Sequence, residues 1–301
     1  MDQRPNLAHP DSVAEGARAT DLPRSVRVET RVALDISGAS GASRITARRE
    51  EGAYRFRMPR RAADRHARTA VEALIVNVAG GLAGGDTVEI AVAARDGATF
   101  LGSSVTAERI YRAHRDTTQI SLTLQATGGA DLVWLPQESI LHEGARLNRP
   151  MEVACDDTSC VLFGDLLHLG RIASGEGFTR GALSESWRVR RDGQLIFADE
   201  TRLAEEALAE ATRPGLMGDA NSLATLLIVG RDATDRLEAV RAALAAHPGV
   251  EAGATARDGL VFARLMGKDG MVLRRAFFAA TQAAAGPNRA LPRLISSEFE
   301  I

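Results

Sequence analysis

Acid–base or metal chemistry in this chain falls to a few carboxylates and scattered histidines. Asp86 closes the run Asn77-Val-Ala-Gly-Gly-Leu-Ala-Gly-Gly-Asp86. A carboxylate after two glycines can cap free backbone N–H groups or contact a metal or a partner, and both readings stay open. Glu138 ends Trp134-Leu-Pro-Gln-Glu138, where Pro136 removes a ladder donor. The chain must bulge, sit at an edge or leave the sheet there. Gln137 and Glu138 then either stand exposed or face a cavity or partner. Glu176 follows Arg171 by five residues, a spacing that suits a surface ion pair and also an interface. His142, in a turn ending at Gly144, is either a borderline-metal ligand or a solvated side chain. As a pair, Glu138 and Glu176 could supply the acid and base of a β-rich carbohydrate-active enzyme.

Several motifs are missing, and that narrows the choice. There is no Gly-x-Ser-x-Gly elbow and no His-Glu-x-x-His, and the six histidines are never spaced as metal ligands. Two cysteines, Cys155 and Cys160, exclude a four-cysteine zinc site within one chain. Tight binding of a late transition metal normally wants imidazole or thiolate, which this sequence does not cluster, so neither a self-contained hydrolase or redox enzyme nor a tightly bound cofactor is expected. Nor do Gly80, Gly81, Gly84 and Gly85 form a nucleotide loop. A dinucleotide fingerprint needs a helix after its glycines, and a P-loop needs a lysine directly after its last one. Here an alternating run, Val88, Ile90 and Val92, follows, and the single lysine is Lys268. With Leu74 to Val76 before it, the segment reads as a strand-to-strand turn that demands unusual backbone angles or close backbone approach.

The elements that must position these residues are mostly strands. Tyr54, Phe56 and Met58 alternate with arginines, and Ile120, Leu122 and Leu124 alternate with polar residues. Turn signals recur at 37–41, 95–97, 128–129, 142–144 and 175–177. The pattern predicts an antiparallel-rich, all-β body over 25–203 with many short strands. Trp134 belongs to its core. Trp187 and Val189 lead through Asp192-Gly193 into Leu195 and Phe197, a tight hairpin. From 204 to 301 the chain turns α+β. Helices are predicted at 203–211, 232–246 and 271–284, a strand at 223–229, and a hairpin through Asp258-Gly259. Residues 1–24 read as a disordered tail, leaving one domain over 25–301.

With 45% apolar residues in 301, the chain can bury a substantial core. Its net charge of −2 gives no general pull toward nucleic acid or membrane lipid. No apolar run has secretory or transmembrane length, so a cytoplasmic location is expected. Aromatics at 4% leave little for sugar stacking. Arginine makes up 36 of the 37 basic residues, and its planar fork suits carboxylate pairing at interfaces.

Five segments occur in a telling order: the Gly-rich loop, Val105-Thr-Ala-Glu-Arg-Ile-Tyr-Arg112, Leu132-Val-Trp-Leu-Pro-Gln-Glu-Ser-Ile140, Gly170-Arg-Ile-Ala-Ser-Gly-Glu176 and Leu291-Pro-Arg-Leu294. Together they resemble the urease accessory protein family called UreD, or UreH in some bacteria, over roughly 26–295. The resemblance implies an elongated β body of helical or stacked-sheet type with two principal helices toward the C-terminus. It also implies a non-enzymatic scaffold chaperone. Such a protein binds urease apoprotein and recruits UreF and the GTPase UreG for nickel insertion. Candidates for lining a passage or meeting a partner are then Gly80, Gly81, Gly84, Gly85, Asp86, Trp134, Pro136, Gln137, Glu138, Arg171 and Glu176. Weak candidates for touching Ni²⁺ in transit are Asp86, Glu138, Glu176 and His142. Two positions depart from the family pattern. Val78-Ala79 stand where prolines are usual, and Ile295 stands where Trp is usual. Proline at position 78 is expected to be accepted, provided the Val78 N–H is unpaired.

Overall fold

The computed structural model describes residues 27–59 and 70–296. The tail reading for 1–24 lies outside the described residues. In chain order the strands begin with β1 (Glu29–Ser37), β2 (Arg44–Glu51), β3 (Tyr54–Arg57), β4 (Ala70–Asn77), β5 (Thr87–Arg95) and β6 (Thr99–Ser104). Next come β7 (Glu108–Ile110), β8 (Thr118–Ala126), β9 (Asp131–Trp134), β10 (Ser139–Leu141), β11 (Arg146–Cys155) and β12 (Cys160–Leu169). The hairpin β13 (Ala182–Arg191) and β14 (Gln194–Leu203) ends this run, and helix α1 (Leu208–Ala211) follows. The remainder is β15 (Ser222–Val229), α2 (Leu237–Ala245), β16 (Val250–Arg257), β17 (Leu260–Gly267), α3 (Gly270–Ala285) and α4 (Arg293–Ser296).

From β4 to β13 the chain alternates between two sheets, as a solenoid does. One sheet runs β14-β13-β11-β8-β5-β1-β2, and the other β16-β17-β15-β12-β9-β6-β4-β3. Each return lays a strand parallel to the previous one of its sheet: β4, β6, β9, β12 on one side and β5, β8, β11, β13 on the other. The stacked-sheet body is as expected, but the antiparallel-rich reading is corrected. Period-two alternation reports that one face is buried and says nothing about the direction of the neighbouring strand. Turns such as Asp96-Gly97 and Gly128-Gly129 hand the chain to the other sheet instead of folding it back. Among the strands of the described residues, antiparallel pairs are confined to the ends of the stack, as in β1–β2, β3–β4, β13–β14 and β15–β17. In the β13–β14 turn, Asp192 and Gly193 both have positive φ, the geometry of a tight hairpin.

Parallel stacking sets like residues beside like. Leu34, Val92, Leu124, Val153 and Val189 form one row across the first sheet. Phe100, Leu132, Val161 and Val229 form another across the second. These rows meet in the core between the sheets. The other face of the second sheet, with Leu101, Val133, Leu162 and Ile228, packs with Val240 and Leu244 of α2 and Leu273 and Phe277 of α3. That double burial explains the near-continuous apolar run of β15.

Candidate functional site

The connections between the sheets stack as well. Leu82 bridges Ile110 of β7, Ile110 pairs with Leu141 of β10, and Leu141 pairs with Leu169 of β12. Tyr111 N–H donates to Leu82 O at 2.7 Å, His142 N–H to Ile110 O at 2.9 Å, and Gly170 N–H to Leu141 O at 2.8 Å. All four aliphatic side chains are buried. This short parallel ladder carries four of the five motif segments to one edge of the solenoid.

Within the Gly-rich loop, Gly81 has φ of 142°, and a Cβ on it would run into the Tyr111 ring and stand 2.9 Å from Arg109 O. Gly84 is limited by space alone, since its Cβ would collide with Asp116 O and lie 2.9 Å from Ala113 Cβ. Both demands read from the sequence, special backbone angle and close approach, are present. Gly80 and Gly85 also take positive φ. Asp86 is the backbone cap: one carboxylate oxygen accepts from Val28 N–H and the other from Ala83 N–H, each at 2.8 Å. It ties the loop to the start of β1.

The proviso on position 78 fails. Val78 N–H donates to Ala53 O at 2.9 Å, a bond that proline cannot make. At the other departure, Ile295 is fully buried with the α2–α3 core. Its neighbour Arg293 donates its backbone N–H to buried Glu72 at 2.7 Å.

Pro136 ends β9, and the chain leaves the sheet. Gln137 N–H donates to Ser104 Oγ at 2.9 Å, and Glu138 O accepts from Glu108 N–H at 2.9 Å. The Gln137 and Glu138 side chains face helix α3: Arg274 donates to Gln137 Oε1 at 2.6 Å and forms an ion pair with Glu138. Trp134 is interior, as expected.

Glu176 and Arg171 do pair, with Arg171 Nε donating at 2.9 Å. The other Glu176 oxygen accepts from Glu143 N–H at 2.8 Å. One residue earlier, His142 stands edge-on to Tyr111 with centroids 4.8 Å apart. Its Nε2 is buried without a hydrogen-bond partner. Burial, reinforced by the Arg171 charge, holds its pKa below the usual histidine value. Glu176, Arg171 and His142 therefore come together, whereas Asp86 and Glu138 are committed elsewhere. Among the described residues, no three His, Cys, Asp or Glu side chains gather as a metal site. Trp134 and Trp187 are both interior, so neither offers a sugar platform, and Glu138 and Glu176 are each paired with an arginine. His168 Nδ1 lies 2.8 Å from Ser222 Oγ, but that serine is buried beneath the start of α3.

Other polar residues were not singled out in the sequence. Glu108 accepts from Tyr54 Oη at 2.6 Å and Asn77 Nδ2 at 2.8 Å, and burial raises its pKa. Between the sheets, the Arg149 guanidinium donates to Glu185 at 3.0 Å and Ser139 Oγ at 2.9 Å and pairs with Asp165. Trp187 Nε1 donates to the free oxygen of Glu185 at 2.9 Å. Two buried carboxylates share one cation, and burial pushes Asp165 up to about 7. Asp165 and Glu185 also line a cavity of about 160 Å³. A signal for this triad was present. Arg149, Asp165 and Glu185 each interrupt an inward-facing apolar series, such as Leu147, Met151 and Val153 on β11.

Comparison with known proteins extends across the whole of this architecture. The sequence model of the UreD urease accessory protein family matches residues 28–295. A urease accessory protein UreD of Xanthobacter autotrophicus is 42% identical over 278 residues, covering 92% of this chain and 93% of its own. One from a Methylobacterium species is 38% identical, covering 84% and 90%. One from Azorhizobium caulinodans is 37% identical, covering 90% and 97%. With a match that takes in both the solenoid and its helices, the chain belongs to the UreD family of urease accessory proteins.

Proposed function

We propose that this chain is a non-enzymatic urease maturation factor, a scaffold chaperone that binds urease apoprotein and recruits UreF and the GTPase UreG. It serves the insertion of nickel into the urease metallocentre in the cytoplasm. The observation that carries this reading is the family match over residues 28–295. The Gly-rich loop supports the division of labour. It runs into strand β5 with neither the lysine nor the helix that phosphate binding needs, so nucleotide hydrolysis falls to the partner. Nickel is cargo here, held at best on the order of micromolar affinity, because borderline metals want imidazole or thiolate clusters for tight binding. Asp86, Glu138 and Glu176 act first as parts of the frame, and the edge they support meets the partner.

The test is co-expression of urease subunits and the accessory proteins with and without this chain, followed by pull-down and nickel-dependent urease activity. The expected result is a complex containing this chain and activation only in its presence. Full activation without it, or its failure to bind urease and both accessory proteins, overturns the proposal.

A further inference from the structure

Arginines in this fold are mostly spoken for. Arg31, Arg48, Arg49, Arg95, Arg146, Arg149, Arg264, Arg274 and Arg289 all pair with carboxylates. Two on the ladder edge do not. Arg109 and Arg112 flank Tyr111, are exposed, and have no hydrogen-bond or ion-pair partner for their guanidinium groups among the described residues. Arg109 lies opposite Ile140 in the β7–β10 pairing, His142 N–H bonds Ile110 O and Gly170 N–H bonds Leu141 O, so Arg109, His142 and Arg171 stand on neighbouring rungs of the ladder. The stem of Arg112 lies over Gly144, one strand along.

Acids on this edge are already engaged. Glu108 is held by Tyr54 and Asn77, Glu143 by Thr179 and Arg180, and Glu176 by Arg171. The result is an edge with surplus positive charge on a chain whose net charge is −2. Exposed apolar residues border it: Val78 at 60%, Ile172 at 50% and Tyr111 at 37% exposure. Tyrosine and arginine amid apolar contacts make the composition of a protein interface, where a few such residues carry most of the energy. Nucleic acid would call for a longer basic track than this.

We infer that the edge formed by Arg109, Tyr111 and Arg112 is a docking surface for an acidic segment of a protein partner, whose carboxylates the two guanidinium forks engage. This rests on the maturation-factor reading above and specifies the chemistry of its contact. Tyr111 is fixed for that role, since its Oη donates to Gly80 O at 2.9 Å and its ring lies against Gly81. The Gly-rich loop thereby becomes the mould for the tyrosine between the two arginines.

The test compares the full chain with Arg109→Glu/Arg112→Glu, the charge-keeping Arg109→Lys/Arg112→Lys, and Arg275→Glu on α3 as a control for charge reversal elsewhere. Each is co-expressed with urease subunits and the two other accessory proteins, and binding is measured at low and high salt. The Glu pair should weaken at least one partnership by roughly tenfold or more and flatten its salt dependence, with the control unchanged and the Lys pair intermediate. Thermal denaturation confirms that each variant folds. Should the Glu pair fail to fold, salt-insensitive binding by the unaltered chain still overturns the inference. Equal binding by the Glu pair also overturns it, as does displacement of the partner by RNA and not by an acidic peptide. If the unaltered chain binds no partner at all, the fault lies instead with the maturation-factor reading.

Discussion

Tyr111 occupies the space that a side chain at position 81 would need. The ring is held there by its hydroxyl, which donates to Gly80 O, and by the register of β7 against the Gly-rich loop. Gly81→Val should therefore destabilise the fold by about 1 to 3 kcal/mol through backbone strain, with a steric contribution on top. Removing the ring with Tyr111→Ala should not rescue it, because the φ of 142° and the nearby Arg109 O remain. Urea denaturation of the single and double variants decides this. Gly81→Val within about 0.5 kcal/mol of the unaltered chain would make the loop an ordinary turn.

Position 78 gives a second prediction. The family resemblance implies that proline fits there, but the Val78 N–H is bonded to Ala53 O, in the turn between β2 and β3. Val78→Pro should destabilise the protein by about 1 kcal/mol, the net worth of a hydrogen bond, or more if the acceptor is left dry. Val78→Ala keeps the N–H and should be close to neutral. A gain in stability from the proline would show that the loop relaxes around it.

Much of this architecture was legible in the residues, and its limits have physical causes. Alternation of Ile120, Leu122 and Leu124 correctly gave a strand with one buried face. It could not show that Val92 and Val153 lie beside Leu124 in parallel, because direction is set by the path between sheets. Asp192-Gly193 and Asp258-Gly259 were readable as hairpins because positive φ at both central residues is a local demand. The roles of Glu138 and Arg274 were not readable, since their partnership spans 136 residues. Arg149, Asp165 and Glu185 could have been noticed one by one as charges at inward positions. Their meeting at one point required the stacking register of β11, β12 and β13.

That buried triad gives a pH prediction. Asp165 ordinarily titrates at 3.8 but stands at about 7 in the fold. Between those values the folded chain holds a proton that the unfolded chain has released, so stability falls as pH rises. The contribution is complete below about pH 4, is lost as pH climbs through 7, and is flat above. The stability difference between the unaltered chain and Asp165→Asn should shrink across that window, as measured by urea midpoints at each pH. A difference independent of pH would mean that Asp165 does not hold this proton in the folded chain. Arg149→Met, which leaves two buried carboxylates without their cation, should destabilise the fold by about 3 to 5 kcal/mol.

Glu138 admits the sharpest test of frame against passage. Its carboxylate pairs with Arg274, whose guanidinium also holds Gln137 and lies 4.7 Å from the Phe278 ring centroid. If Glu138 works by anchoring helix α3 to the β body, Glu138→Ala and Arg274→Ala should each lower stability. The double variant should then lose less than the sum of the two, with a coupling of about 0.5 to 3 kcal/mol. Urease activation in co-expressing cells should follow the same non-additive pattern. A different result is expected if the Glu138 carboxylate instead meets nickel or a partner directly. Glu138→Ala would then reduce activation in chains already carrying Arg274→Ala, while stability shows no further change. Strict additivity in both measurements would separate the two residues and remove the anchoring role from Glu138.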